Sequence, residues 1–109
     1  MIKYLDIEEV FKPLDIPISE FNLEEAEVEI DIPCAVYIPG ETRALYADGM
    51  NYFNLMEVRL ELLTEKIDLK MQKKIEEIFE ANDVSFVSDM DYSSDHRIYS
   101  TVFSFEVMM

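Results

Sequence analysis

The sequence predicts an α+β fold, a two-layer sandwich in which two helices cover a mixed, mainly antiparallel sheet. Two segments have apolar residues at helical spacing, others alternate apolar and polar residues as half-buried strands do, and turn signals separate several of them. Strands that follow one another through tight turns favour antiparallel pairing, and two amphipathic helices suffice to cover one face. The predicted order is α-β-β-β-α-β-β.

The first helix is predicted close to the N-terminus. Asp6 is a suitable N-cap, and Glu9 stands three residues later, as in a capping box. Leu5 and Val10 have the spacing of a hydrophobic staple. Pro13 is predicted to end the helix, because proline lacks the amide that continues it. The predicted buried face comprises Ile7, Val10, Phe11 and Leu14.

The middle of the chain is predicted to form strands. Residues 28–32 alternate apolar and acidic side chains, which is typical of a strand with one buried face. Residues 34–38 are a continuous apolar run, and Pro39-Gly40 predicts a turn after it. Asp48-Gly49 lies between apolar stretches and predicts a hairpin. Residues 56–62 have the clearest strand alternation.

A second helix and a closing hairpin are predicted after these strands. Asp68 is the predicted N-cap, and Asn82-Asp83 is predicted to end the helix, with Asn82 suited to the left-handed conformation needed there. Its apolar stripe comprises Met71, Ile75, Ile78 and Phe79. Residues 84–90 and 97–108 are the predicted final strands, joined by a polar loop over 91–95. One face of the last strand comprises Tyr99, Thr101, Phe103, Phe105 and Val107.

The composition limits the functions open to the chain. Among its 109 residues, 24 are acidic and 9 basic, and the formal net charge of -15 argues against gripping nucleic acid or an anionic membrane. The length suits one domain over 1–109. The single cysteine, Cys34, excludes an intramolecular disulfide. No apolar run is long enough to span a membrane, so we expect a soluble domain of the cytosol.

No residue set has the features of a catalytic site. Several potential ligands lie close together in the sequence: Asp89, Asp91, Asp95 and His96. Calcium binds clusters of carboxylate oxygens such as these three aspartates supply. Their spacing does not match an EF-hand, so a solvated hairpin tip is the preferred interpretation. Cys34 is expected to be a buried, inert thiol, since no cation stands near it to lower its pKa. We therefore expect no catalytic, cofactor or metal site.

The negative charge is concentrated in the first part of the chain. Residues 1–42 have 11 acids against two bases, a net charge of -9, whereas the remainder has a net charge of -6. This acidic segment is either a solvated face or a surface that contacts a basic partner or repels a polyanion. The candidate residues for such a surface are Glu24, Glu25, Glu27, Glu29 and Asp31.

The order of segments in the second half is distinctive. A strand reading Glu-Val-Arg-Leu-Glu-Leu-Leu-Thr leads to a helix that opens with Asp, and strand, loop and strand follow. The segments are 47–52, 56–66, 68–77 and 85–107. In this order they resemble the small tail-completion and tail-terminator proteins of long-tailed bacteriophages. The N-terminal helix and the strand over 34–38 also fit, whereas residues 20–33 are longer and more acidic than in that family.

The resemblance implies a non-enzymatic structural protein of the virion neck. Proteins of this family form rings, typically hexamers, that terminate the tail tube and join the tail to the filled head around the DNA channel. The expected partners are other copies of the chain, the tail tube protein and a head-closure or connector protein. DNA would pass without specific binding, and neither cofactor nor membrane is expected. The expected location is the virion neck or tail, and the host cytoplasm during assembly.

Two other functions remain open. A small acidic adaptor or inhibitor would bind a basic protein by charge complementarity. A small enzyme would use Asp91, Asp95 and His96. The mass in solution separates a ring from an adaptor, and capsid, head-closure and tail-tube genes on either side of this one would favour the neck protein.

In a ring, the acidic candidate surface would repel the phosphates of passing DNA and prevent adhesion. We predict that replacing Glu24, Glu25, Glu27 and Glu29 by Gln slows DNA passage while the ring still assembles. Phage infectivity and ring formation would be measured together. Unchanged infectivity would contradict the hypothesis.

Overall fold

The computed structural model describes residues 2–21, 32–47, 50–95 and 97–109. The helices are α1 (Ile7–Val10), between 3-10 turns at Tyr4–Asp6 and Lys12–Leu14, and α2 (Leu69–Ala81). The strands are β1 (Ile18–Glu20), β2 (Cys34–Ala47), β3 (Met50–Thr64), β4 (Phe86–Ser93) and β5 (Ile98–Met108).

The strands of the described residues form one sheet in the order β1-β2-β3-β5-β4. β1 pairs parallel with β2, and the other neighbours pair antiparallel. The predicted mixed α+β fold is therefore confirmed, although the elements differ in detail. β1 was not predicted, and residues 28–31 of the strand predicted over 28–32 lie outside the described residues.

β2 and β3 are longer than the sequence suggested. The turn predicted at Pro39-Gly40 is wrong, since both residues lie within β2. The register of β2 against β3 shifts between Pro39 and Thr42, so the strand bulges there and continues. Glycine suits this bulge, because a Cβ at Gly40 would stand 3.1 Å from the Glu57 backbone oxygen. The hairpin predicted around Asp48-Gly49 is confirmed by the antiparallel pairing on either side of it.

The start of the first helix differs from the prediction. Asp6 ends a 3-10 turn, its backbone (φ -100°, ψ 3°) lacks the extended N-cap conformation, and its side chain makes no cap bond. The capping box is therefore wrong. The staple is also wrong, because Leu5 is 93% exposed. Pro13 lies inside a second 3-10 turn after α1. The predicted buried face is confirmed, with Val10 half-buried and the others fully buried: Ile7, Phe11 and Leu14.

The second helix agrees with the prediction at its start and differs at its end. An Asp68 carboxylate oxygen accepts a hydrogen bond from the Met71 amide at 3.0 Å, which confirms the N-cap. At the other end, Asp83 and not Asn82 takes the left-handed conformation, with φ of 54°. Asn82 has φ of -104°, and its side-chain amide donates to the Ile78 carbonyl at 2.8 Å, a terminal acceptor of the helix.

An aromatic cluster joins α2 to the sheet and to the N-terminal segment. The Phe79 side chain is fully buried at the centre of this cluster. The centroid distances from its ring are 5.5 Å to Phe11, 4.8 Å to Phe86, 5.9 Å to Phe103 and 4.7 Å to Phe105. Since these rings come from both helical segments and two strands, their burial holds the two layers together. The alternating buried face predicted for the last strand is confirmed over Thr101, Phe103, Phe105 and Val107.

The N-terminal segment is attached near β1, β2 and the end of β5. The Met108 amide donates to the Ile2 carbonyl, and Lys3 forms a parallel bridge with Met108. The Tyr4 hydroxyl donates to a Glu20 carboxylate oxygen at 2.6 Å, and its ring meets Tyr37 edge-on. Burial, followed by the hydrogen bond to Glu20, raises the pKa of Tyr4 well above its usual value. The phenol therefore stays protonated as a donor at neutral pH.

The aromatic cluster yields a stability prediction. Phe79→Ala should lower the free energy of unfolding by about 3–5 kcal/mol, because it leaves a cavity among four other rings. Phe21→Ala is the matched control, since Phe21 is 42% exposed and should cost less than about 1 kcal/mol. Urea unfolding followed by far-ultraviolet circular dichroism measures both variants. Equal losses would show that Phe79 is not central to the core.

Candidate assembly surface

The acidic residues proposed from the sequence as a functional surface lie outside the described residues. They are Glu24, Glu25, Glu27, Glu29 and Asp31. The structure therefore supplies no geometry for them, and the candidate surfaces below come from the other parts of the chain.

The second acidic group of the sequence lies at the hairpin between β4 and β5. Asp89 and Asp91 belong to β4, so the loop predicted over 91–95 begins later, after Ser93. Each of these two carboxylates accepts a hydrogen bond from the next residue's amide, and both side chains are exposed, as is Asp95. His96 lies outside the described residues. Among the described residues, no group of three or more His, Cys, Asp or Glu is placed to hold a metal ion.

The remaining candidate nucleophile is buried. Cys34 begins β2, and its side chain is 2% exposed, which confirms the predicted burial. A thiol at this depth is shielded from solution reagents. No helix in the described part of the chain is long and apolar enough to span a membrane.

The hairpin of β2 and β3 extends beyond the sheet as a two-stranded arm, which we define as residues 44–54. Pairing between β3 and β5 begins only at Leu55 and Met108, and β1 pairs with β2 only as far as Tyr37. Within the described residues, β2 and β3 pair with each other along the arm, and at its base the Met109 amide donates to the Asn54 carbonyl at 3.1 Å. The arm adds about 15 Å, at about 3.3 Å per residue, and the described chain measures 51 × 31 × 22 Å.

An ion pair holds the base of the arm to the sheet. The Arg43 guanidinium on β2 reaches across β3 to the Glu106 carboxylate on β5, with Nε–Oε2 at 2.8 Å and Nη2–Oε1 at 3.0 Å. This two-bond geometry fixes orientation as well as distance. The pair lowers the pKa of Glu106 and raises that of Arg43, chiefly through the hydrogen bonds between them. We call this pair the clamp.

β4 is the other surface without a partner in the described residues. It is an edge strand of eight residues that pairs only with β5. Three of its apolar side chains are exposed: Val87 by 72%, Met90 by 38% and Tyr92 by 47%. An open cavity of about 580 Å³ connects the base of the arm with this edge, and its lining includes Arg43, Leu55, Val87 and Glu106. An edge that exposes both backbone and apolar side chains is suited to pairing with another strand.

Sequence reasoning did not identify the arm, the clamp or the exposed edge. The signal for the arm was present in the Asp-Gly turn and its long apolar flanks, but the interpretation of Pro39-Gly40 as a turn divided the strand. The clamp joins residues 63 positions apart in sequence, so local patterns contain no sign of it. The exposure of Val87 depends on which strand lies at the edge of the sheet, and that order is a property of the fold.

Comparisons with known proteins add no family to this description. No protein-family model matches the chain, and no curated protein is detectably similar to it in sequence. The likeness to phage tail-completion and tail-terminator proteins therefore remains a prediction from the pattern of segments.

The clamp yields a prediction about the arm. Arg43→Gln should speed amide hydrogen exchange in the arm, because its base is then held only by backbone pairing, and should leave exchange in the core unchanged. Arg59→Gln is the matched control, since Arg59 pairs with Glu61 on the same strand at 3.6 Å and joins no separate elements. Exchange that is equal in the two variants would contradict the role of the clamp.

The clamp also predicts a dependence on pH. Because the folded-state pKa of Glu106 is lowered, its contribution is complete above the usual glutamate pKa of about 4.3. The contribution is lost as the pH falls through the lower folded-state value. Nuclear magnetic resonance titration of the Glu106 side chain should show this lowered pKa, and Arg43→Gln should return it toward the usual value.

Proposed function

We propose that the chain is a structural subunit of a phage neck. In this proposal, copies form a closed ring, with six as the expected number, which terminates the tail tube and joins the tail to the head around the DNA channel. The observation that carries the proposal is the arm beyond the sheet. The order of segments along the sequence supports the phage neck as the place of assembly.

The arm supports a function in assembly because of its energetics. A two-stranded hairpin is at best marginally stable in water by itself, and a third strand or a packed surface is needed to stabilise it. In the described part of the chain, the clamp and the hydrogen bond from the Met109 amide to the Asn54 carbonyl hold the base of the arm. A neighbouring subunit or the tail tube protein would supply the missing contacts.

The edge strand supports a ring in particular. An exposed edge with apolar side chains invites uncontrolled pairing in a monomer, whereas a closed ring covers every edge. Direct pairing of two β4 strands is disfavoured, because it would bring the exposed Asp89 and Asp91 of one copy close to those of the other. The edge of one copy would therefore contact a different surface of the next copy. Such head-to-tail contacts form a closed ring when the rotation between neighbouring subunits returns to the first subunit.

The net charge is compatible with a channel through which DNA passes. A charge of -15 repels phosphates, so DNA would pass such a ring without adhering to it. The partners in this proposal are the tail tube protein on one side of the ring and a head-closure or connector protein on the other. Neither catalysis nor a cofactor has a part in it.

Shortening the arm tests the proposal. Replacing residues 44–54 by Asn-Gly would leave Arg43 and Leu55, which pair with each other, joined by a two-residue turn. We expect the wild-type chain to form rings by itself or with tail tube protein, and the shortened chain to remain a folded monomer. Sedimentation velocity and negative-stain electron microscopy measure assembly, and circular dichroism measures folding.

The matched control changes the other hairpin. Replacing Ser94-Asp95 by Asn-Gly also alters a turn but leaves the arm intact, so this variant should assemble as the wild type does. A shortened variant that assembles normally would contradict the role of the arm. A wild-type chain that stays monomeric with tail tube protein, yet binds a basic protein, would favour the acidic adaptor instead.

A further inference from the structure

We infer that the N-terminal half of α2 contacts the N-terminal acidic surface of a second copy of the chain. This inference rests on the proposed self-assembly and names two surfaces that would meet. The basic patch comprises Lys66, Ile67, Leu69, Lys70, Lys73 and Lys74. The acidic patch comprises Leu5, Asp6, Glu8 and Glu9.

The basic patch combines charge with exposed apolar area. It contains four of the nine basic residues of a strongly acidic chain, and all four lysines are exposed. None of them forms an ion pair with any residue that the structure describes. Between these lysines, Ile67 is 52% exposed and Leu69 is 68% exposed. Apolar side chains surrounded by charge of one sign are typical of a surface that binds a partner of the opposite sign.

The order of charged residues along α2 is unfavourable for the helix dipole. Apart from the cap at Asp68, its first turn has no acid, and its last turn has no base. Lysines follow in the first half and Glu76, Glu77 and Glu80 in the second half, which opposes the helix dipole. Lys70 also stands three and four residues before Lys73 and Lys74, where like charges repel, whereas Lys73 precedes Glu76 and Glu77 at the same spacings, where opposite charges attract. An anionic partner would offset both costs.

The acidic patch has the complementary composition. Leu5 is 93% exposed, although it lies in an ordered 3-10 turn directly before α1. Three exposed carboxylates follow it within four positions, and none forms an ion pair within the described residues. The exposed leucine and the carboxylates correspond to the exposed leucine, isoleucine and lysines of the basic patch.

The two patches begin near opposite ends of β5, and no ion pair joins them within the described residues. The acidic patch follows Lys3, which bridges Met108 at one end of β5. The basic patch follows Thr64, which pairs with Tyr99 at the other end. These positions on β5 are about 30 Å apart, at about 3.3 Å per residue, so the patches are separated at their starts and a second copy can bring them together. Because the net charge of -15 opposes any polyanion, an acidic protein surface with its own apolar centre suits the lysines better than DNA.

Charge reversal tests this contact. One variant changes Lys70, Lys73 and Lys74 to Glu, a second changes Asp6, Glu8 and Glu9 to Lys, and a third combines all six changes. Each single reversal should weaken self-association roughly tenfold or more, because several attractive pairs become repulsive. The combined variant should recover association. Sedimentation velocity at low and high salt measures the effect.

Two controls separate a contact from a change in folding. Changing Glu77, Glu80 and Asp95 to Lys shifts the net charge as the second variant does, but at exposed positions outside both patches, the arm and β4, and should not weaken association. The lysine-to-glutamate variant should still be folded at the temperature of the association measurement, because all three lysines are exposed. If this variant is unfolded at that temperature and associates more weakly, the loss of association comes from unfolding, and the inference is contradicted.

The remaining outcomes distinguish the inference from the proposed function. A wild-type chain that never assembles, even with tail tube protein, would contradict both. A wild-type ring that all three charge variants still form at full strength would contradict this contact alone. Binding of a short DNA duplex by the wild type, lost on the lysine reversal, would assign the basic patch to a polyanion and overturn the inference.

Discussion

The long antiparallel pairing of β2 with β3 is the constraint on which the rest of the structure depends. It runs from Cys34 opposite Leu63 to Ala47 opposite Met50. One half of this hairpin is the centre of the sheet, where β1 adds on one side and β5 on the other, and the helices cover one face. The other half continues past the sheet as the arm. A single pairing thus forms part of the core and the surface proposed for assembly.

In the proposed assembly, the charge of the chain would restrict which surfaces of two copies can meet. A net charge of -15 keeps copies apart in general, so association requires places where the repulsion is locally reversed. The lysines of α2 are proposed as such a place. The arm is another region of low negative charge, since Asp48 is the one acid in the sequence of residues 44–54. Subunits that repel except at matched surfaces have few incorrect ways to associate, which favours a closed assembly over aggregation.

Local patterns predicted those features whose causes are local. The Asp68 cap, the stripe of α2 and the alternating face of β5 depend on residues within a few positions of each other, and each is confirmed. Errors arose where another part of the chain decided the outcome. Pro39-Gly40 forms a bulge and not a turn because β3 continues beside it. Asp6 matches a capping box in sequence, yet the preceding 3-10 turn gives its backbone the wrong conformation.

The sequence by itself determined the fold class, the helix and strand periods and the acidic character of the chain, because these follow from residue type and spacing. Only the tertiary structure decided which strands lie at the edge, how far the hairpin extends and which side chains remain exposed. Val87, Leu5 and Leu69 are ordinary core residues by type, and their exposure depends on where the sheet and the helices end. The candidate surfaces therefore come from the fold, since exposure is set by contacts between residues distant in sequence.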